Sequence, residues 1–157
     1  MVASMVPRHS NVSALDTAYR ATSYVADLPE GQVALRIGQL CPVLDRYLDR
    51  HSLACWAFVS ACNPGSQPLT VVQNAARHVQ LVEAVAARGL AWVSGQGVPD
   101  GDDWQPEPSL LVLGIGLPDA LVLADAFGQN AIVVGTRGEP PRLVYAPRST
   151  CHDFDSR

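Results

Sequence analysis

Apolar positions recur along this chain with two periods, and each change of period marks a new element. VALRIG at 33–38 puts Val33, Leu35 and Ile37 on one side and Arg36 on the other, the period of two of a half-buried strand. CWAFVSA at 55–61 and SLLVLGI at 109–115 are near-continuous apolar runs, as central strands should be. LAWVSG at 90–95, NAIVVG at 130–135 and RLVYA at 142–146 complete a set of six, the last two joined as a hairpin around TRGEPP. Between the strands the period lengthens. Ser13 and Asp16 resemble a capping box for a first helix with Leu15, Ala18, Tyr19 and Thr22 facing inward. Pro42 opens a second helix, with Leu44, Tyr47 and Leu48 on one stripe. Thr70 and Gln73 form another capping box, and the third helix runs from there to Arg88, stopped by Gly89. Val72, Ala75, Ala76, Val79, Val82 and Val85 are its expected buried side. A short fourth helix at 118–127 ends at Gly128.

The order α, β, α, β, α, β, β, α, β, β predicts a single α/β or α+β domain over 13–146. Its sheet is expected to be mixed, with about six strands and three to four helices. Residues 1–12 and 147–157 are polar, proline-bearing ends expected to be mobile. At 157 residues, 48% hydrophobic and 17% charged, the chain has material for one sizeable core. The longest apolar run, 109–128, holds Pro118, Asp119 and Asp125, so it reads as strand, turn and helix rather than a membrane span.

Net charge is −4, which leaves no basic footprint for a nucleic-acid backbone. All 11 basic residues are Arg. Without lysine the chain has no Schiff-base site, no covalent pyridoxal phosphate site and no Walker A loop. Cys41, Cys55, Cys62 and Cys151 form no CxxC pair, and the N-terminus shows no apolar signal region, so a reducing cytoplasm is the expected setting. The four histidines, at 9, 51, 78 and 152, lack metal-ligand spacing, and no metal is expected. LGIGLPDA at 113–120 has Asp119 where a dinucleotide fingerprint wants its third glycine, so no cofactor is expected either.

The chemistry concentrates in ACNPGSQPLTVVQNAARHVQ, 61–80. Asn63-Pro64-Gly65-Ser66 follows the end of a central strand and precedes a helix whose N–H groups and dipole favour an anion. Asn74, Arg77 and His78 share one face of that helix, where a guanidinium would fork onto two oxygens of a carboxylate or phosphate. Ser66 lies in the same turn. Glu107, held between Pro106 and Pro108, is a candidate acid, base or arginine partner, and Gln129 and Asn130 stand between a helix cap and a strand. Cys62 with His78 as base lacks a third orienting group, and a small buried core residue explains the cysteine better.

With AYRATSY, VALRIG, FVSACNPGS, QNAARHVQL, EPSLLVLGI and FGQNAIVV in that order, the chain resembles the bacterial DUF3293 family, over roughly residues 15–146. The resemblance implies no reaction. It marks Asn63 and Pro64, Asn74 and Arg77, Glu107 and Ser109, and Gln129 and Asn130 as the polar positions of interest. Cys62 and His78 stand where other residues are expected in similar proteins.

Three functions remain open. The first is binding of a polar, expectedly anionic small molecule through Arg77, the helix N-terminus, Asn63, Ser66, Asn74, Gln129 and Asn130, with help from Arg36. The second is a cofactor-independent isomerase, lyase or hydrolase using Glu107 as acid or base in the same pocket. The third is a protein-interaction module with an apolar patch around Trp92 and Trp104, or a lid formed by VPDGDDWQPEP.

Overall fold

The computed structural model describes residues 12–102 and 104–147. The tails predicted at 1–12 and 147–157 lie outside these residues, except for Val12 and Pro147. The elements are α1 (Val12–Arg20), β1 (Thr22–Leu28), β2 (Gly31–Leu35), α2 (Pro42–Arg50), β3 (Cys55–Ser60), α3 (Val71–Ala87), β4 (Ala91–Pro99), β5 (Glu107–Leu113), α4 (Leu117–Ala126), β6 (Ala131–Thr136) and β7 (Arg142–Tyr145). A single 3₁₀ turn, Pro64–Ser66, stands between β3 and α3.

The strands form one sheet in the order β2-β1-β4-β5-β3-β6-β7. Every pairing is antiparallel. The class is α+β as expected, but among the described residues the sheet has seven strands and is not mixed. The extra strand is β1, whose first residue, Thr22, continues the apolar stripe predicted for the first helix. Helix α1 ends at Arg20, and Ser13 lies inside its first turn rather than capping it, accepting from Thr17 Oγ1 through its carbonyl. The predicted β6–β7 hairpin is present, with Ala131 opposite Tyr145.

Helix α3 crosses from β3 to β4, and α4 from β5 to β6, each connection skipping one strand. Both helices cover one face, where Leu81, Val85, Leu123 and Ala124 pack on Ala57, Val59, Leu110 and Val112. The alternate residues, Trp56, Phe58, Leu111 and Leu113, face Leu44, Tyr47 and Leu48 of α2. Strands β3 and β5 are therefore buried on both faces, which is why their sequences are almost wholly apolar. The edges of the sheet also approach one another, since the Gly38 amide donates to the Pro141 carbonyl at 2.8 Å. Among the described residues no helix is long and apolar enough to cross a membrane.

Antiparallel pairing places the C-terminal end of β3 beside the N-terminal ends of β5 and β6. Residues 60–63, 107–109 and 129–131 thus meet at one end of the sheet, with the first turns of α3 against them.

Candidate functional site

The site begins where β3 stops. Ala61 and Cys62 are buried, and Asn63 then takes a left-handed conformation (φ 47°, ψ 60°), which asparagine tolerates better than most residues. Pro64, Gly65 and Ser66 complete a tight turn whose Gly65 amide donates to the Gly128 carbonyl at 2.7 Å, tying the turn to the end of α4.

Asn63 is the hub. Its Oδ1 accepts from the Leu69 amide and from Asn74 Nδ2, both at 2.9 Å. Its backbone N–H donates to Asn74 Oδ1 at 3.0 Å, so the two asparagines are doubly joined. Its Nδ2 donates to Glu107 Oε1 at 2.7 Å. The same carboxylate oxygen accepts from Trp104 Nε1 at 3.0 Å. Oε2 of Glu107 has no hydrogen bond among the described residues.

Arg77 closes the other side. Its Nε donates to the Ala61 carbonyl and its Nη2 to the Phe127 carbonyl, both at 2.6 Å, with the guanidinium 6.0 Å above the Phe127 ring. Gln129 Nε2 reaches the Cys62 carbonyl at 3.0 Å and the Phe127 carbonyl at 3.2 Å. Asn130 Nδ2 donates to Ser66 Oγ at 2.8 Å. The polar positions marked in the sequence therefore converge around residues 61–66. Ser109 is buried at the same end of β5, donating to the Glu107 carbonyl at 3.0 Å.

Several roles differ from those expected. Arg77 does not stand as an open fork, because two of its nitrogens hold main-chain carbonyls, that of Ala61 and, together with Gln129, that of Phe127. The N-terminus of α3 is closed by its own capping box, with Thr70 Oγ1 accepting from the Gln73 amide and Gln73 Oε1 from the Thr70 amide. Glu107 pairs with an asparagine and an indole rather than with Arg77. Arg36 lies in a different set of contacts, forking onto both oxygens of Asp100 at 2.8 and 2.9 Å and reaching Ser23 and the Arg20 carbonyl. Cys62 and His78 share no hydrogen bond; burial pushes the thiol pKa up, the reverse of an activated nucleophile. His78 is half-buried, its Nδ1 has no hydrogen-bond partner among the described residues, and burial holds its pKa below the ordinary value.

One residue of the site was not singled out for it in the sequence. The sequence places Trp104 in an apolar patch or a lid, yet its indole fixes Glu107; the spacing of the two across Gln105-Pro106 is the available signal. The phenol of Tyr19 in α1, which packs against the α2-side core, has its pKa pushed up to about 12 by burial and secondarily by the charge of Glu107. Trp92 and Trp104 are 36% and 42% exposed, and Trp104 belongs to this polar network. An open recess of about 400 Å³ lies elsewhere, between the sheet edges, lined in part by Arg20, Ile37, Gly38, Pro141 and Arg142.

No curated protein and no solved structure matches the chain. The model of the family described as "Protein of unknown function (DUF3293)" matches residues 59–132. That span contains Asn63, Asn74, Arg77, Trp104, Glu107, Gln129 and Asn130, and leaves Tyr19 outside. The family matched over residues 59–132 is the one that the sequence motifs resemble.

Proposed function

We propose that the chain binds a polar small molecule at the junction of β3, α3 and β5, with Glu107 as the group that reads it. The observation that carries this is the state of the Glu107 carboxylate. Two neutral donors on one oxygen, Asn63 Nδ2 and Trp104 Nε1, fix its orientation, while its second oxygen takes no hydrogen bond from the described residues. A half-buried carboxylate held in this way accepts from a ligand ammonium, amide or hydroxyl group. The anionic ligand suggested by the sequence has weaker support, because Nε and Nη2 of Arg77 are committed to carbonyls. A negative group on the same molecule would meet only Nη1. A cytoplasmic setting belongs to this reading and is supported by the free thiols of Cys41, Cys55 and Cys62.

The test is a thermal-shift panel of small amines, amides, polyols and organic anions, run on the native protein and on Glu107→Gln. A ligand at ~100 times its dissociation constant adds about 2.7 kcal/mol to the native state. The expected result is a shift with donor-bearing compounds that is lost in Glu107→Gln. An equal shift in both proteins, with no difference in turnover of the bound compound, removes Glu107 from the site. If the variant keeps its affinity but loses turnover of a bound compound, the carboxylate acts as acid or base and the protein is an enzyme.

A further inference from the structure

Helix α3 is inverted along its first half. Asn74 and Arg77 turn toward the sheet, while Val71, Val72 and Val79 are 85%, 78% and 56% exposed, with Ala75 and Ala76 exposed between them. Only Leu81 and Val85, further along, are fully buried. The stripe Val72, Ala75, Ala76, Val79 has the i, i+3, i+4, i+7 spacing of a helix face that packs on another helix. It has no cover among the described residues.

We propose that this face is the interface of a homodimer in which α3 packs antiparallel on α3 of a second copy. The stripe is complementary to itself. A two-fold axis between Ala75 and Ala76 sets Val72 of one copy against Val79 of the other, with the alanines at the centre allowing close approach of the two axes. The charge distribution also favours a second copy. Arg77 is the one Arg, Lys, Asp or Glu residue of 71–80, and its guanidinium faces inward, so the two-fold brings no like charges together. Glu83 continues the stripe, is exposed, and has no ion pair among the described residues. In the antiparallel register each Glu83 falls just beyond the N-terminal end of the other copy's α3, where the helix dipole favours a carboxylate.

Sedimentation velocity of the full chain tests this. The expected result is a mass rising from 16.8 kDa toward twice that value as concentration is raised to ~100 µM. Val79→Glu and Ala76→Glu place a charge in the buried centre of the interface and should weaken association ~10-fold or more. Glu83→Arg puts a cation at the partner helix N-terminus and should also weaken it, less so at high salt. All three side chains are exposed in one copy, and circular dichroism should show each variant folded; should one fail to fold, the other two decide. A protein that stays monomeric over the whole range overturns the proposal. So does a dimer whose affinity is unchanged in the folded variants.

Discussion

At the scale of single residues, Arg77 shows how a charged side chain can serve the backbone. The carbonyls of Ala61 and Phe127 lie where β3 and α4 end, beyond the reach of regular pairing, and one guanidinium satisfies both. Hydrogen bonds to charged groups contribute ~1.5–3 kcal/mol each, so Arg77→Met should lower unfolding stability by about 3 kcal/mol. Urea titration measures this, and an unchanged midpoint would mean that water replaces the guanidinium without cost. His78 gives a second, independent prediction. Its folded pKa lies below the unfolded value of about 6.5, so below that pH the unfolded chain binds more protons and stability falls as pH falls. His78→Gln should flatten the loss between neutral pH and pH 5 in a series of thermal melts. A parallel decline in both proteins would assign the effect to other groups.

At the scale of elements, the turn after β3 depends on the end of α4. Gly128 has φ +65°, and a Cβ there would stand 2.8 Å from Pro64 Cβ. Gly138 also has a positive φ, +86°, but open space around it. Each change to alanine carries backbone strain of about 1–3 kcal/mol, and Gly128→Ala adds the collision with Pro64. Gly128→Ala should therefore be the more destabilising in chemical denaturation, and equal losses would show that the turn shifts freely. Most element positions were legible in the sequence because runs such as CWAFVS and SLLVL admit little but a covered strand. Strand β1 was not. Tyr24, Ala26 and Leu28 do alternate inward along it, but they follow the helical stripe of α1 after a single residue, and the join hid the change of period. The orientation of α3 was illegible for a different reason. Its Val/Ala stripe and its Asn74–Arg77–Leu81–Val85 stripe are both helical faces, and hydrophobicity favours burying the first. The choice was made by the carbonyls of Ala61 and Phe127 and the turn at Asn63, which need donors and acceptors from α3. No local pattern reports that demand. The convergence of Asn63, Glu107 and Gln129 was partly legible, since all three stand at strand ends, with Asn74 in the first turn of the helix that follows β3. Their bonding to one another and, for Gln129, to main-chain carbonyls rather than outward was not.

At the scale of the whole molecule, antiparallel order and two covered faces give the sheet a gradient of protection. Strands β3 and β5 lie at its centre, paired on both sides, with α3 and α4 on one face and α2 on the other. Strands β2 and β7 are the edges and each pairs on one side only. Opening the centre requires breaking both cores, whereas an edge can separate alone. Native-state hydrogen exchange should therefore find its slowest amides at Ala57, Val59, Leu110 and Val112, near the global unfolding energy, with β2 and β7 exchanging through local opening. The hydrogen bond from Gly38 to Pro141 modifies this picture, because it ties the chain after β2 to the chain before β7. If the edges are held together in solution, the Gly38 amide should exchange ~100-fold more slowly than an unprotected one, which corresponds to about 2.7 kcal/mol of opening energy. Free exchange at Gly38 alongside protected β3 and β5 would mean that the edges part readily while the core stays intact. In that case the recess between Ile37 and Pro141 would open without any change at the Asn63–Glu107 end of the sheet, and the two regions would be energetically separate.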